Sequence, residues 1–490
     1  MPDNFIRSLF PFFSHLLWAG ILISSISCNE TKKAAPSDKG AIQKPNVLIL
    51  LTDQWRAQAT GYAGDPNAIT PNLDVLASES LNFENAVSGT PVCTPFRASL
   101  LTGQRPLSNG VFMNDVQLDT NALTMAKIFN KNHYDTGYIG KWHLDGHGRL
   151  QNVPPGARRQ GFDFWKANEC THDYNHSVYY DNLDPEQKIW EHYDTFDQTD
   201  AALNYIQTKN GDSSPFMMIV SYGTPHAPYH TAPEKYRKMF DPANIKLREN
   251  VPEEMQEKAK TDLAGYYAHI AAIDDMIGKI TKKLKEEGQW ENTLILFTSD
   301  HGDMLGSQGA YKKQQPYEES IRVPMLMKLP KDMNLAPAVK KTVINTEDIL
   351  PTLLGLCDID IPKSIEGMNF SSIIKNNEDD IDYAAEIRCI QPFGQWGRHR
   401  GGKEFRGLRT LRYTYARDLN GPWLLYDNQT DPFQQNNLIG QAEFSAIQER
   451  LDKTLTQRLN ANNDAFLSGP EYIKKYGYHV DKNGMVPYTQ

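Results

Sequence analysis

Cysteine is too scarce in this chain to build a scaffold. Five in 490 residues exclude the disulfide-dense class of small secreted folds. Positive charge is also in short supply: 51 Lys and Arg stand against 60 Asp and Glu, a formal charge of −9. No basic tail or Arg-rich stripe is present, which excludes nucleic acid as a partner. An anionic substrate would have to be met by a local cluster of cations, since the overall field does not attract it. Internal repeats and long low-complexity tracts are missing too, so a solenoid is excluded. The 40% hydrophobic content is that of a soluble globular protein, and the length suffices for two compact units.

One long apolar run does occur, at the start. Arg7 precedes an apolar stretch from Leu9 to Ile26, which ends in Ser25-Ile26-Ser27-Cys28. This resembles a bacterial lipoprotein signal, cut before Cys28 so that the new N-terminal cysteine is acylated. Pro11 and His15 interrupt the run, which barely reaches the ~20 residues of a membrane span, and an uncleaved anchor is the alternative. The polar stretch behind it reads as a tether. The expected organisation is a signal peptide at 1–27, a tether at 28–44, an α/β catalytic domain at 45–385 and a C-terminal antiparallel-sheet subdomain at 386–490. The implied location is the cell envelope, lipid-anchored in the outer membrane or periplasm, with secretion as the alternative; any membrane contact is through the lipid only.

Four short apolar runs share a pattern. Val47–Leu51 ends at Thr52-Asp53, Thr293–Phe297 at Ser299-Asp300, Phe216–Val220 runs into Pro225-His226, and Thr136–Gly140 into Lys141-Trp142-His143. Continuous hydrophobic runs of this length suit strands covered on both faces by helices. Each delivers charged or metal-binding side chains at its C-terminal end, where open α/β sheets place their sites. The convergence predicts one catalytic rim. Leu263, Tyr266, Ile270, Ile273, Ile277, Ile280 and Leu284 recur at helical spacing over Thr261–Glu287, with Gly288 at the C-cap position. Asn72–Glu79, Leu123–Lys131 and Thr346–Leu356 read as further helices. Past Asp380 the character changes. Phe405–Ala416 reads as a strand, Asn420-Gly421 as a hairpin turn, Trp423–Tyr426 as the returning strand and Ala442–Asn460 as a helix.

The most informative window is Cys93-Thr94-Pro95-Phe96-Arg97-Ala98-Ser99-Leu100-Leu101-Thr102-Gly103. It resembles the maturation signature of type I sulfatases, members of the alkaline phosphatase superfamily. In that family the cysteine is oxidised to formylglycine (3-oxoalanine) before folding, and the hydrated aldehyde attacks sulfur. The resemblance implies a large mixed, mostly parallel sheet sandwiched by helices, alkaline-phosphatase-like, with a smaller C-terminal α+β subdomain built on an antiparallel sheet. It also implies a formylglycine-generating maturation enzyme as a partner. Gly140-Lys141-Trp142-His143-Leu144 and Pro225-His226-Ala227-Pro228 resemble further sulfatase segments, and Lys313 before Tyr317-Glu318 matches the family's Lys-x-x-x-Tyr-Glu spacing.

A divalent ion offsets the charge of a sulfate ester and polarises an S–O bond. Asp53 and Asp300, at two strand ends, can point carboxylates at one spot, with Gln54, His301 and the modified Cys93 completing the set. Sulfatases commonly hold Ca²⁺ with Asp-Asp and Asp-Asn or Asp-His pairs. Here Gln54 replaces an acid, which removes one negative charge, and His301 is a less usual partner for a hard cation. One Ca²⁺ is expected, ahead of Mg²⁺ or Mn²⁺. By resemblance, Lys141, Lys313 and Arg97 clamp the sulfate, and Arg97 also holds the aldehyde hydrate. His226 with Lys313 protonates the leaving oxygen, and His143 accepts the proton that lets the hemiacetal collapse. Lys312 competes with Lys313 for its role. His133, His147 and His172 match nothing and read as structural.

The resemblance does not reach the ester's identity. Lipoprotein sulfatases of this type generally act on sulfated polysaccharides or their oligosaccharides, and ulvan and carrageenan are preferred here to animal glycans. The cationic segment Trp396–Lys403 is expected to overhang the rim and read uronate or sulfate on neighbouring sugars through Arg398, His399 and Arg400, with His230 a further substrate contact. Trp142, Trp165 and Trp190 are candidates for stacking on sugar rings. Among Cys170, Cys357 and Cys389 at most one bridge can form. Two other readings stand: a phosphodiesterase or phosphonate monoester hydrolase of the same superfamily, and a non-catalytic glycan-binding lipoprotein.

Overall fold

Alternation along the first strand decides the architecture. The computed structural model describes residues 44–487 except 183 and 213; the expected signal, tether and Cys28 lie outside them. Ten strands form the main sheet: β1 (Asn46–Asp53), β2 (Leu81–Val87), β3 (Asp135–Lys141), β4 (Phe164–Asn168), β5 (Val178–Asp181), β6 (Asp184–Ile189), β7 (Phe216–Pro225), β8 (Thr293–Ser299), β9 (Met325–Lys328) and β10 (Ala338–Asn345). Their order is β10-β2-β9-β8-β1-β7-β3-β4-β5-β6. Val47, Ile49 and Leu51 of β1 face a core shared with the helices Cys93–Thr102, Met125–Lys131 and Thr346–Leu356. Leu48 and Leu50 face the opposite core, with the helices Pro71–Ser78, Asp194–Thr208 and Gln256–Glu286. Both faces are dry, as continuous apolar strands require.

The four runs that end in chemistry are the four adjacent central strands β8-β1-β7-β3, and every pair among them is parallel. Their C-terminal ends therefore share one rim, as the sequence pattern predicts. β9 is inserted antiparallel between β8 and β2, and β5 and β6 extend the far edge antiparallel. The expected helices are present with their ends displaced by a few residues, the longest beginning earlier, at Gln256. Gly288 follows it at φ 66°, the left-handed position that closes a helix.

The second sheet, β11 (Ala385–Cys389), β12 (Phe405–Arg409), β13 (Tyr413–Asp418) and β14 (Gly421–Asp427), is antiparallel throughout. The run Phe405–Ala416, read as one strand, is two. Thr410 turns the chain, its hydroxyl and N–H engaging Tyr413, and β13 pairs back on β12. The sheet packs on the first through Val87, Ile321 and Val343, buried with Ile387, Phe405 and Leu424. Glu318 links the two by charge: Arg409 grips both its oxygens at 3.0 and 3.1 Å, and Arg322 lies 3.0 Å from one. The Ser445–Ala461 helix covers the sheet's outer face through Leu451, Leu455 and Leu459.

Trp142, Trp165 and Trp190 are no sugar platforms: their exposures are 0%, 0% and 6%. Trp142 and Trp165 pack edge to face in an aromatic cluster with Tyr138 and Phe162. Cys170, Cys357 and Cys389 are free and buried. Among the described residues no helix is long and apolar enough to cross a membrane.

Candidate active site

Cys93 is the first residue of the helix Cys93–Thr102, and Arg97 sits one turn further on the same face. The helix's positive end favours negative charge there. Around Cys93, four donor atoms, from Asp53, Cys93, Asp300 and His301, all lie within 4.8 Å of one another and are buried. The Cys93 Sγ is 3.2 Å from His301 Nε2 and 3.8 Å from Asp53 Oδ1. His301 donates Nδ1–H to the Gly302 carbonyl at 2.9 Å, which leaves Nε2 as the lone-pair nitrogen facing the cluster, the arrangement a metal ligand needs. Two carboxylates, an imidazole nitrogen and a sulfur position, shielded from water, fit a divalent cation.

The two carboxylates differ. Burial and the Asp53 charge push Asp300 above the usual carboxylate range. Burial works against Asp53 as well, but nearby positive charge, Lys141 foremost and Arg97 with it, holds it well below that range. Lys141 Nζ donates to Asp53 Oδ2 at 2.6 Å. Arg97 Nη2 reaches Asp53 and Asp300 at 3.3 and 3.2 Å, while Nη1 donates to the Lys141 carbonyl and Ser221 Oγ at 2.8 and 2.7 Å. Its fork thus cross-braces the two acids, and Nε is left without a partner. Burial and Asp53 oppose ionisation of the Cys93 thiol, yet Lys141, Lys313 and His301 hold it well below its ordinary range.

Two glycines make this packing feasible. Gly140 has φ 95°, and a Cβ there would lie 2.1 Å from the Ser221 carbonyl oxygen. At Gly302 a Cβ would meet the Glu319 carbonyl at 2.0 Å. Both let a ligand-bearing loop press against its neighbour.

Lys313 Nζ donates to Gln54 Oε1 at 2.8 Å and to His226 Nε2 at 3.0 Å. His226 in turn donates Nδ1–H to the Ala227 carbonyl at 2.7 Å. Burial, then Lys313 and His172, depress His226 well below its ordinary value, so it is neutral and its Nε2 accepts the Lys313 N–H. Gln54 donates to Asp303 at 2.6 Å and to the Tyr229 hydroxyl at 3.2 Å, which fixes its amide oxygen towards Lys313. Its backbone N–H also reaches Asp300 Oδ1 at 3.0 Å.

His143 Nε2 is 2.6 Å from Asp115 Oδ1, and Arg149 Nη2 is 2.8 Å from Oδ2. Glu169 accepts the backbone N–H groups of Leu144, Asp145 and Gly146 at 2.9, 2.6 and 2.9 Å, pinning the turn that carries His143. Cys170 lies against the same groups. Burial opposes its ionisation, but Lys141, His143 and His172 bring it down to about 5.

Asp53, Gln54, Cys93, Arg97, Lys141, His143, His226, Asp300, His301 and Lys313 are thus brought together. His172, expected to be structural, stacks flat on His226 with ring centres 4.5 Å apart. Asp115, Glu169, Tyr229 and Asp303 are not singled out by the sequence, and Cys170 is read there only as a candidate for a bridge. Asp303 had a signal, its place in Asp300-His301-Gly302-Asp303; the others had none, because their partners are distant in the chain. Of the outer candidates, Arg400 and His230 line one cavity beside His226. Arg398 and His399 line a different one, and Arg398 is held by Glu404.

The family model described as Sulfatase matches residues 45–359, and one described as N-sulphoglucosamine sulphohydrolase, C-terminal, matches 306–461. An ulvan-active sulfatase of Formosa agariphila is 45% identical over 476 residues, 96% of this chain and 92% of that protein. An endo-4-O-sulfatase of Bacteroides thetaiotaomicron is 28% identical, over 85% of this chain and 91% of that protein. The solved structure of yidJ from Bacteroides fragilis superposes with a TM-score of 0.80 at 28% identity, over 90% of this chain and 100% of that one.

Proposed function

The chain belongs to the sulfatase family and is a sulfuric ester hydrolase, and on that premise we propose that it removes sulfate from a polysaccharide such as ulvan, or from its oligosaccharides, using formylglycine at position 93 and one bound Ca²⁺. The observation that carries this reading is the convergence of Asp53, Cys93, Asp300 and His301 within 4.8 Å among Lys141, Lys313 and Arg97. When present, the two groups supply an oxygen nucleophile and a divalent charge beside it. Ca²⁺ is favoured over softer ions because two of the donors are carboxylates; the expected ligand Gln54 instead gives its amide oxygen to Lys313.

The protein's own residues do the rest. Lys141 and Lys313 place positive charge on either side of the sulfate oxygens, where it acts most strongly because water is excluded. Arg97 holds Asp53 and Asp300 in register and leaves its Nε–H for the group at position 93. Lys313 and His226 form a relay that hands a proton to the departing sugar oxygen. His143, steadied by Asp115, accepts a proton on the opposite side. A lipid anchor at Cys28 in the cell envelope belongs to the same proposal and rests on the sequence before residue 44 alone.

Two measurements test it. The Cys93 peptide of the matured enzyme should weigh ~18 Da less than its thiol form, from the side-chain formulae. The enzyme should release sulfate from ulvan oligosaccharides faster than it cleaves phosphate or phosphonate esters of matched leaving group. An intact thiol in active enzyme, or a preference for the phosphoryl esters, would sink the reading.

A further inference from the structure

Next to His226 and Lys313 lies a cavity of about 710 Å³, large enough for a short oligosaccharide. Its walls come from four separate places. Ala227 to His230 continue directly from catalytic His226, and Gly309 to Lys312 lead directly into Lys313. Gln395, Trp396 and Arg400 form a third side, and Lys258 and Asp262 of the long helix a fourth. Both members of the proposed proton relay thus have their sequence neighbours in this cavity, so it adjoins the side from which the sugar oxygen departs.

Its charges are not balanced. Lys258 is answered by Asp262 and lies over the Tyr311 ring. Lys312 makes no ion pair among the described residues, although Asp303 and Asp262 face it at longer range, and its ammonium rests 5.3 Å from the Tyr229 ring centre. Arg400 is exposed, and no side-chain hydrogen bond or ion pair holds it among the described residues. His230 adds an imidazole to the same lining. In a protein of net charge −9, a lining with Lys258, Lys312 and Arg400 against the single carboxylate of Asp262 is a local positive site. The backbone explains how Lys312 and Lys313 serve different spaces. Lys312 has φ 68°, a left-handed residue that turns its side chain to the cavity while Lys313 enters the buried site. Trp396 supplies the apolar element. Its indole N–H donates to the Tyr311 carbonyl at 3.1 Å, which fixes a half-buried ring at the cavity wall.

Resting on the sulfatase reading above, we infer that this cavity is the sugar subsite. Trp396 receives a pyranose face, and Lys312 and Arg400 bind an anionic group, carboxylate or second sulfate, on the desulfated sugar or its neighbour. The basic segment Trp396–Lys403 is thereby divided: Arg400 recognises substrate, while Arg398 is an internal tie to Glu404.

The test uses matured full-length enzyme and the variants Lys312→Ala and Arg400→Ala, with exposed Lys474→Ala as a charge-matched control. The substrates are a sulfated oligosaccharide carrying both a uronate and a second sulfate, the same compound with its carboxylates reduced to alcohols, the same compound lacking the second sulfate, and a small aryl sulfate. Each cavity variant should lower kcat/KM on the full oligosaccharide about tenfold or more, chiefly through KM, as loss of a charge-assisted contact implies. Turnover of the aryl sulfate should stay within about twofold, since only binding beyond the ester is removed. The compound on which the variants no longer differ from wild type identifies the anion that is read. The inference is overturned if neither variant affects the oligosaccharide, if both slow the aryl sulfate equally, or if the loss is undiminished both on the carboxylate-reduced compound and on the one lacking the second sulfate. Failure of wild-type enzyme to hydrolyse any sulfate ester would overturn the sulfatase reading and this subsite together, an outcome distinct from the other three.

Discussion

His143 and Asp115 are joined at 2.6 Å, 28 residues apart in the chain. Burial disfavours a charged His143, but the negative charge of the Cys170 thiolate and the Asp115 bond push it up to about 9. Asp115 therefore sets both the orientation and the basicity of this imidazole. A proton acceptor must be unprotonated, so activity that depends on it climbs with pH through its titration. In Asp115→Asn that ascending limb should move to lower pH by roughly one unit or more, with a plateau about tenfold lower. A kcat–pH profile of both enzymes checks this; an unmoved limb would assign His143 another task.

The donor cluster predicts dependence on a divalent ion. Chelation should abolish sulfate release and lower the melting temperature, and Ca²⁺ should restore both. Asp53→Asn should lower kcat by roughly 10²–10³ and abolish stoichiometric metal as counted by elemental mass spectrometry. Full activity in metal-free protein would remove the ion from the account.

His269 gives a stability prediction independent of catalysis. Burial pushes it down to about 4, and the Tyr193 hydroxyl bonds its Nδ1 at 2.5 Å. The folded state keeps the ring neutral. As pH falls from about 6.5 towards 4 the unfolded chain takes up the proton first, so stability present above pH 6.5 drains away, by about 3 kcal/mol in all. His269→Gln should flatten the decline of denaturation free energy between pH 6.5 and 4. An unaltered slope would mean the proton uptake lies elsewhere.

Glu318 is buried between Arg409 and Arg322. Removing it leaves two guanidinium groups with carbonyl partners but without their shared carboxylate at the contact between the sheets. Glu318→Ala should cost about 3–5 kcal/mol, read from urea unfolding, while kcat of the folded fraction holds, because no catalytic side chain touches it. The Lys-x-x-x-Tyr-Glu spacing thus joins a site lysine to a residue of the inter-sheet contact.

The rim was legible in the sequence because each apolar run ends in its reactive residues, and a parallel strand has only one end at which to present them. What surrounds those residues was not. Gln54 could be seen as a ligand candidate, but not that Asp303 and Tyr229 turn its amide oxygen to Lys313, since Tyr229 lies 175 residues away. Trp142 and Trp165 looked available to sugars because a lone tryptophan does not reveal which way it points; their cluster with Tyr138 and Phe162 buries them. Trp396, the residue that does line a cavity, is fixed by a carbonyl 85 residues away. In Phe405–Ala416 the alternation of large residues runs through the turn at Thr410, so two strands read as one.

Gln54 meets Asp300 across 246 residues, and Cys93 meets His301 across 208. Contacts of such span carry a large loop-closure entropy and form late. During synthesis the segment around Cys93 is made well before β8 exists to cap it. The long-range wiring of the sheet therefore opens a time window in which the thiol stays open to solvent, and the arrival of the strand ending at Ser299 shuts it.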